Sequence, residues 1–289
     1  MKPVRKAVFP VAGLGTRMLP AAKTVAKEML TVVDRPLIHH VLAEARAAGI
    51  EHFILVTGRG KSAMEDYFDH HVELEATLKE KNKTALLEEL MRDLPREGEI
   101  SYVRQMQPKG LGHAVWCARE IVGDEPFAVL LPDMIMDAEP PAMAQAVQAY
   151  KQVGGGNIVV VEPCPLGEAH KYGIVAVEGQ GRLTRMTGMV EKPAPGTEPS
   201  NLFISGRYIL QPEIFGILEK GERGAGGEIQ LTDAMRRLMA DQPFHALEYE
   251  GTTYDCGDKV GWLRANVAMA LKRPDMEGAV RAALTPLLG

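Results

Sequence analysis

The sequence of 289 residues predicts an α/β fold in which a largely parallel sheet is followed by a more mixed half. Two observations support this prediction. Short apolar runs rich in β-branched residues recur along the first half of the chain, and amphipathic stretches separate them, as is typical of βα units. After about residue 170, strand-like segments follow one another closely, and helices return only towards the C-terminus.

Each element is predicted from its local pattern. The strands of the first half are predicted from apolar runs at residues 7–11, 53–57, 100–104, 127–131 and 157–162. A helix is predicted over 36–48, because Pro36 suits a first helical turn and Gly49 stands just past the end. Residues 73–93 predict one longer charged helix inserted between strands. The second half is predicted to hold strands at 172–178, 183–191 and 201–210 and helices at 229–240 and 260–272.

Composition limits the class of protein. An apolar fraction of 46% is ordinary for a globular protein, and a formal net charge of −5 argues against a general binder of nucleic acid. Cys117, Cys164 and Cys256 lie far apart, so they suggest neither a disulfide framework nor a zinc site. No segment approaches the roughly 18 apolar residues of a membrane span. We therefore expect a cytoplasmic protein that binds neither nucleic acid nor membranes.

The loop after the first strand is the strongest candidate for a ligand site. Small residues at Ala12, Gly13 and Gly15 let the backbone approach a ligand and present N–H donors to it. They are followed by polar and basic residues whose charge would answer that of a triphosphate, namely Thr16, Arg17, Lys23 and Lys27. A dinucleotide fingerprint is the competing interpretation, but Met18 stands where its third glycine would fall. The loop is better suited to a different phosphate ligand.

Two further patterns imitate known sites. The segment ILVTGRGKS, residues 54–62, ends like a P-loop, but Leu55 occupies the place of the first glycine and lies inside a strand. We interpret it as an ordinary strand-to-helix turn. Two pairs of adjacent histidines, at 39–40 and 70–71, suggest metal binding, but adjacent residues of a helix point apart. Packed or solvated histidines are the simpler interpretation.

Taken together, GLGTRMLP (13–20) and KEML (27–30) resemble the signature of the sugar-nucleotide pyrophosphorylases, or nucleoside-diphospho-sugar transferases. Further motifs follow in the order and spacing of that family over nearly the whole chain: Arg104-Gln105, KGLGHAV (109–115), LPD (131–133), YGIV (172–175), VEKP (190–193), SNL (200–202), GRY (206–208), EIQLTDA (228–234) and YDCG (254–257). The resemblance implies a Rossmann-like three-layer α/β/α fold with a mixed central sheet. It implies a single domain over 1–289, with a nucleotide-binding half at about 1–165, a sugar-binding half at about 166–257 and a C-terminal helical region at about 258–289.

The motifs also imply an activity. Within this family they resemble those of enzymes that use UTP and glucose 1-phosphate, release UDP-glucose and pyrophosphate, depend on Mg²⁺ and form homo-oligomers, either dimers or tetramers. A sugar phosphate is already ionised near pH 7, so its attack requires positioning and charge neutralisation and no protein base. Three alternatives stay open: a related enzyme for dTTP or another hexose 1-phosphate, an NAD-dependent oxidoreductase, and a noncatalytic sugar-nucleotide sensor.

The resemblance assigns roles on the nucleotide side. Arg17 and Lys27 would stabilise the triphosphate and the leaving pyrophosphate, with Lys23 as a helper. The first loop would contact the nucleotide through Ala12, Gly13, Gly15 and Thr16, and the base would be recognised at Gln105 and Gly110. From this stretch alone, an exposed Gln105 at a helix entry is the preferred interpretation.

Asp133 and Asp255 are the expected metal ligands. Asp133 follows the apolar strand of FAVLLPD, and open α/β sheets bind ligands outside the carboxyl ends of their strands. Asp137 competes from four residues away, but the resemblance selects the LPD aspartate. It also assigns Asp255 to the metal, whereas the local sequence alone would make Asp255 a helix cap.

On the sugar side, the resemblance gives Glu191 to the glucose hydroxyls and Lys192 to the sugar phosphate. Gly173 would offer a backbone N–H to the sugar, and Asn201 is a weaker candidate. From the residues alone, Glu191 and Lys192 fit a surface ion pair equally well. The sequence departs from the family pattern at Ala26, where proline is common, and at Gly227, where aspartate is usual.

Overall fold

The computed structural model describes residues 1–164 and 167–287. The expected boundary between the two halves, at residues 165 and 166, lies outside the described residues, as do positions 288 and 289 of the expected C-terminal region. The described helices, numbered in chain order, are α1 (Leu37–Ala47), α2 (Ser62–Tyr67), α3 (Val72–Glu80), α4 (Thr84–Arg92), α5 (Leu111–Cys117), α6 (Arg119–Val122), α7 (Ala142–Gln152), α8 (Ile214–Leu218), α9 (Leu231–Leu238), α10 (Lys259–Leu271) and α11 (Glu277–Leu284).

The described strands are β1 (Lys6–Pro10), β2 (Thr31–Val32), β3 (Arg35–Pro36), β4 (His52–Thr57), β5 (Ile100–Arg104), β6 (Phe127–Leu130), β7 (Met134–Asp137), β8 (Asn157–Pro163), β9 (Gly173–Glu178), β10 (Leu183–Glu191), β11 (Leu202–Leu210), β12 (Phe244–Glu248) and β13 (Thr252–Asp255). Nine of them form a central sheet in the order β5-β4-β1-β6-β11-β8-β12-β10-β9. The first four in this order run parallel, and β11 is antiparallel to both of its neighbours β6 and β8. The prediction of a parallel half followed by a mixed half is confirmed.

Helices cover both faces of this sheet, which gives the expected three layers. One apolar core packs against the sheet from α5, α8 and α9, with Val115, Leu218 and Met235 among its buried residues. The other core packs against the opposite face from α1 and α7, with Ile38 and Met143 among its buried residues. The parallel strands β1, β4 and β6 are therefore apolar on both faces, which is why they read as continuous runs of apolar residues, whereas β5 at the edge of the sheet is half-exposed.

Helix ends explain one confirmed and one wrong prediction. The helix predicted over 36–48 is α1, and Gly49 ends it with a left-handed φ of 85° while Ile50 N–H bonds Ala45 C=O. The single helix predicted over 73–93 is wrong, because the chain forms α3 and α4 instead. Asn82 adopts a φ of 53°, and Lys83 N–H bonds Leu78 C=O, which is the same helix-ending motif. Asparagine tolerates this conformation better than other non-glycine residues, so it can end a helix.

A two-stranded ribbon outside the central sheet was not predicted. Strand β13 pairs with β7 in antiparallel fashion, and Asp255 lies opposite Met134 in their register. The N–H of Cys256 also bonds the carbonyl oxygen of Asp133 at 2.7 Å. The ribbon thus places the YDCG and LPD motifs side by side, although 122 positions separate their aspartates in the chain.

Candidate active site

The two aspartates expected to bind metal meet two of the expected cations at the carboxyl end of β6. Lys27 Nζ lies 2.6 Å from Asp133 Oδ2. The guanidinium of Arg17 lies 3.7 Å from Asp133 Oδ2 and 3.5 Å from Asp255 Oδ2. We call Arg17, Lys27, Asp133 and Asp255 the nucleotide-side cluster. Four residues from four motifs therefore form one ion-paired group.

Gly257 leaves room for this group to form. A Cβ atom at this position would lie 2.5 Å from an Arg17 nitrogen, 2.9 Å from Asp255 Oδ1 and 3.0 Å from Asp133 Oδ2. These distances are shorter than van der Waals contact allows. Two carboxylate oxygens and a guanidinium thus face one small space, and a side chain on any residue larger than glycine would fill it.

The two carboxylates differ electrostatically. Burial alone would raise the pKa of Asp133, but the charges of Lys27 and Arg17 outweigh it and lower that pKa. Burial raises the pKa of Asp255, and the neighbouring charge of Asp133 adds to the effect, while Arg17 opposes it. Burial would lower the pKa of Lys27, but the carboxylates of Asp133 and Glu28 raise it. Asp133 is well compensated by its partners, and Asp255 is not.

Asp255 does not cap the following helix. The N-cap of α10 is Asp258, whose Oδ1 accepts hydrogen bonds from Val260 N–H and Gly261 N–H, both at 2.9 Å. Asp255 instead ends β13, and its Oδ1 accepts a hydrogen bond from Gly257 N–H at 2.8 Å. The competing aspartate, Asp137, pairs with Lys272 at the far end of β7. Asp255 is therefore not the cap of α10, and Asp137 has a partner outside the nucleotide-side cluster.

The first loop wraps around the Lys27 side chain. Gly15 adopts a φ of 66°, and a Cβ there would lie 3.2 Å from Lys27 Cβ. Ala12 is buried, whereas Gly13 and Thr16 are exposed beside it. This loop follows β1, between the ends of β4 and β6 in the sheet. Its exposed backbone and the nucleotide-side cluster share one edge of the sheet.

Gln105 follows β5 at the same edge of the sheet, and two acceptors hold the nitrogen of its side-chain amide. Nε2 donates to Gly110 C=O at 3.1 Å and lies 2.9 Å from His113 Nδ1. The carbonyl partner fixes the amide orientation. Burial lowers the pKa of His113, and the charge of Lys109 adds to this, so the imidazole is neutral and Nδ1 can accept. The amide oxygen is left as the group that Gln105 can offer to a ligand.

Gly110 lies where the chain comes close to another motif. Its φ is 111°, and a Cβ would lie 2.8 Å from Ile229 C=O and 2.8 Å from Glu228 Cβ. Ile229 N–H also bonds Lys109 C=O at 2.7 Å. The close approach at this turn is therefore made by the EIQLTDA segment, and it joins two motifs of the chain.

A second charged group, from the other half of the chain, lies at the ends of β9 and β10. Glu191 Oε2 accepts a hydrogen bond from Thr232 Oγ1 at 2.8 Å, and Lys192 Nζ lies 3.8 Å from Glu191 Oε1. A Cβ on Gly173 would lie 3.1 Å from Glu191 Oε2. We call Gly173, Glu191, Lys192 and Thr232 the sugar-side cluster. Thr232 was not predicted as a site residue, although it lies in the EIQLTDA motif.

Lys192 is held by its backbone. Its φ of 49° is in the left-handed region, which is uncommon for a residue with a side chain. Its N–H bonds the carbonyl oxygen of Tyr172 at 2.9 Å. Strained residues of this kind persist where surrounding structure determines them, and they concentrate at functional sites.

Asn201 and Lys23 are not brought into either cluster. Both are exposed, and within residues 1–164 and 167–287 neither side chain makes a hydrogen bond or ion pair. Asn201 contributes only its backbone oxygen, which accepts from Cys164 N–H. Their assignment therefore gains no geometric support.

The two clusters share apolar and aromatic neighbours. Tyr172 packs on Phe203 with ring centroids 4.6 Å apart, and both belong to a small core that also holds Met134 and Leu131. Burial raises the pKa of Tyr208, and the nearby carboxylates of Glu191 and Asp133 add to this effect. Residues around the LPD motif are thus close to both clusters.

Comparison with known proteins identifies the family. The sequence model of the family described as Nucleotidyl transferase matches residues 6–270. The chain belongs to the nucleotidyl transferase family.

Named relatives of this nucleotidyl transferase are similar over nearly its whole length. A UTP–glucose-1-phosphate uridylyltransferase of Bacillus subtilis (strain 168) is 49% identical over 277 residues, covering 96% of this chain and 94% of the relative. A UTP-bound UGPase from Acinetobacter baumannii has a TM-score of 0.90 and 42% identity, covering 97% of this chain and 98% of that one. A UDP-glucose pyrophosphorylase complexed with UDP-glucose has a TM-score of 0.82 and 40% identity, covering 93% and 100%. The expected family and fold are both confirmed.

The nucleotidyl transferase fixes its LPD turn with a residue that was not predicted to have a role. Arg207 is fully buried and donates to the carbonyl oxygens of Leu131 at 3.0 Å and Met134 at 2.7 Å, which bracket Asp133. Its Nε and Nη2 also bond the two carboxylate oxygens of Glu44, at 3.0 and 2.7 Å. A register shift in β11 beside Gly206 directs this side chain inward. The sequence signal for this role was a charged residue inside the apolar run of β11. A charged residue that is buried is almost always paired, so its position indicated a buried partner.

In this nucleotidyl transferase, the P-loop-like segment forms a turn and histidines of both adjacent pairs hydrogen-bond neighbouring side chains. The P-loop-like segment is the turn from β4 into α2, as predicted. His39 Nδ1 bonds Tyr67 at 2.9 Å, and His70 Nδ1 bonds Glu75 at 2.9 Å. Among the described residues, no group of three or more His, Cys, Asp or Glu is arranged to hold a metal, and no helix is long and apolar enough to cross a membrane.

Proposed function

We propose that this nucleotidyl transferase transfers the uridylyl group of UTP to α-D-glucose 1-phosphate, giving UDP-glucose and pyrophosphate. The observation that carries the proposal is the convergence of two cations and two carboxylates at the carboxyl end of β6, with a further carboxylate and ammonium at Glu191 and Lys192. The names of relatives at 49% and 42% identity support UTP over dTTP as the nucleotide.

The reaction needs positioning more than proton transfer. An oxygen of the sugar phosphate forms a bond to the α-phosphorus of UTP, the bond from that phosphorus to the bridging oxygen breaks, and pyrophosphate leaves with the electron pair. Both reacting groups are anionic near neutral pH, so the main barrier that the protein can lower is charge repulsion and orientation. Clustered cations are the appropriate residues for this task.

The chain's own residues divide this work. Arg17 and Lys27 would bind the triphosphate and neutralise the pyrophosphate as it leaves, and the exposed backbone of Gly13 and Thr16 would hold the phosphates with Ala12 and Gly15. Lys192 would orient the attacking phosphate, since its ammonium is half-exposed and its backbone is fixed. Glu191 would accept hydrogen bonds from glucose hydroxyls, and Gly173 would leave space for the sugar against it. Asn201 stays a weaker candidate.

Nucleotidyl transferases generally use a divalent metal, and we infer that this chain uses Mg²⁺ held by Asp133 and Asp255. The residues fit, because two carboxylate oxygens face the space beside Gly257 and Mg²⁺ commonly takes one or two carboxylates plus substrate phosphates. When bound, the ion would neutralise charge on the phosphates. Arg207 and Glu44 would keep Asp133 in position for it.

Base selection is assigned to Gln105. Its amide oxygen is a hydrogen-bond acceptor, and N3–H of uracil is a donor, whereas N3 of cytosine is an acceptor. Gln105 would therefore favour uracil and thymine over cytosine, and the choice of UTP over dTTP would rest on other contacts. Gly110 would act by fixing the turn that holds Gln105.

The division of the chain is part of the same proposal. Except for Asp255, the nucleotide-side residues come from positions 12–133, and the sugar-side residues come from 173–232. This supports a nucleotide-binding half over about 1–165 and a sugar-binding half over about 166–257, followed by a helical region. We also infer that the protein is a cytoplasmic homo-oligomer, either a dimer or a tetramer. Light scattering would measure the mass of the oligomer.

A matrix of nucleotides against hexose 1-phosphates, with Mg²⁺ present or chelated, tests the function. We expect the highest kcat/KM with UTP and glucose 1-phosphate, only when Mg²⁺ is present. A clear preference for dTTP would indicate a thymidylyltransferase. Binding of NADH without pyrophosphate release would indicate an oxidoreductase, and binding of UDP-glucose without turnover would indicate a sensor.

A further inference from the structure

A fully buried carboxylate lies directly behind the nucleotide-side cluster. Glu28 follows Lys27 in the KEML motif, and its side chain has 0% exposure. Its Oε2 accepts a hydrogen bond from Lys61 Nζ at 2.7 Å. Its Oε1 is also buried and has no hydrogen-bond partner within residues 1–164 and 167–287. A buried carboxylate oxygen without a donor is costly and calls for a physical reason.

The ammonium that could serve this oxygen is engaged elsewhere. Lys27 Nζ lies 4.0 Å from Glu28 Oε1, but it bonds Asp133 Oδ2 at 2.6 Å. Under the proposed function, the same Asp133 oxygens are needed by a divalent cation. An ammonium and a divalent cation in contact with one carboxylate repel each other strongly in a partly buried site. Lys27 must therefore leave Asp133 when the cation binds.

The surroundings of Lys27 restrict where its ammonium can go. The base of the side chain packs against the first loop, since a Cβ on Gly15 would lie 3.2 Å from Lys27 Cβ and one on Gly13 would lie 4.0 Å from Lys27 Cε. Movement is thus confined to the end of the side chain. Glu28 Oε1 is an anionic acceptor already within 4.0 Å of that end.

We propose that Glu28 is a positioning residue that takes up the Lys27 ammonium when a divalent cation occupies Asp133, while Lys61 holds the carboxylate in place. The inference rests on the proposed function, since it requires a cation at Asp133. It gives the P-loop-like turn a role in this site, because buried Lys61 points inward to Glu28 and not outward to a phosphate. Lys27 would keep its charge and stay beside the phosphates.

The test measures Mn²⁺ binding in the presence of UTP, by electron paramagnetic resonance, on four forms of the full chain. These are the wild type, Glu28→Gln, Lys27→Met and the double variant. Glutamine keeps the shape of Glu28 but turns an amide donor or a neutral oxygen towards the ammonium. We expect Glu28→Gln to weaken Mn²⁺ binding by about tenfold when Lys27 is present, and by less than about twofold when Lys27 is methionine.

Equal weakening in both backgrounds would overturn the inference, because a merely structural defect at Glu28 would not depend on Lys27. No weakening in either background would overturn it as well. A wild type without UTP-dependent Mn²⁺ binding would overturn the proposed function itself, and this inference with it.

If Glu28→Gln does not fold, a crystal structure of the wild type with Mg²⁺ and UTP decides. Lys27 Nζ within about 3.2 Å of Glu28 Oε1 would support the inference. Lys27 Nζ still bonded to Asp133 would overturn it.

Discussion

The nucleotide-side and sugar-side clusters both combine carboxylates with cations, but they are held in different ways. In the nucleotide-side cluster the side chains pair with one another, and Lys27 contacts Asp133 at 2.6 Å. In the sugar-side cluster the ion pair is loose, with Lys192 52% exposed and 3.8 Å from Glu191, while the backbone of Lys192 is fixed in a left-handed conformation. Under the proposed function, the first cluster would exchange partners when a ligand binds, whereas the exposed ammonium of the second would be available to one.

The largest effect should come from removing charge within the nucleotide-side cluster. We expect Asp133→Asn and Asp255→Asn each to lower kcat by about three decades and to raise the Mg²⁺ requirement, because each removes one preorganised charged ligand. Since the two carboxylates would serve one ion, the double variant should be far less impaired than the product of the single losses. Steady-state kinetics over a Mg²⁺ series measure both effects.

Fully multiplicative losses would break the proposed convergence. A normal Mg²⁺ dependence of Asp255→Asn would leave Asp255 as a structural residue at the end of β13. Asp258→Asn is the matched control, since it changes the aspartate that caps α10 without touching the cluster.

The next prediction compares variants that each remove one cation, Arg17 from the nucleotide-side cluster and Lys192 from the sugar-side cluster. Arg17→Ala should impair the use of UTP and pyrophosphate, and Lys192→Met should impair saturation by glucose 1-phosphate, each by about two to three decades in kcat/KM. UTP binding measured by calorimetry should be weakened in the first variant and retained in the second. If Lys192→Met leaves glucose 1-phosphate saturation and turnover intact, the sugar-side assignment fails.

A smaller effect is expected from adding a methyl group beside the nucleotide-side cluster. Gly257→Ala would bring a Cβ within 2.5 Å of an Arg17 nitrogen and 3.0 Å of Asp133 Oδ2. Because the Arg17 end can move away, we expect the fold to persist while kcat falls by about one to two decades. Gly216→Ala is the matched control, since it lies in α8 with nothing within 4 Å of the added atom. Equal activity of both variants would contradict the crowded geometry.

The smallest effect concerns stability and separates the two aspartates. The pKa of Asp255 is raised above its ordinary 3.8, so the folded protein holds that proton more tightly and loses stability as pH rises through the raised pKa. Asp255→Asn should therefore raise the Tm of the unliganded protein by a few degrees (~2–4 °C) at pH 7, with the gain shrinking as pH falls towards 3.8.

Asp133→Asn should do the opposite. The pKa of Asp133 is lowered from 3.8, so its charge stabilises the fold above that pH, and the stabilisation disappears as pH falls through the lowered pKa. Thermal unfolding of both variants from pH 7 to below pH 3.8 measures the contrast. A Tm of Asp255→Asn below that of the wild type at pH 7 would show that the charge on Asp255 is better compensated than its surroundings indicate.

The convergence of candidate site residues was predictable where motifs carried them, and it was less predictable where packing determines what a residue contacts. Arg17, Lys27 and Asp133 stand in short motifs, and the structure brings them together. Gly110 also stands in a motif, but its close contact is with Ile229, which no local pattern could indicate. Arg207 and Glu28 carried no predicted role, because the need for a buried charge arises only from the partners that surround it.

The sequence by itself determined the apolar strand runs, the start and end of α1, the chemistry of the first loop and the family signature, because these depend on neighbours a few positions apart. It could not predict that residues 73–93 break at Asn82, where a left-handed residue competes with helix continuation. Only the tertiary structure decided that Asp255 meets Asp133, since the β7–β13 pairing aligns residues 122 positions apart. The tertiary structure also decided that Lys61 faces Glu28. Charges buried in a medium of low dielectric need a partner of opposite charge, and that partner can come from a distant part of the sequence.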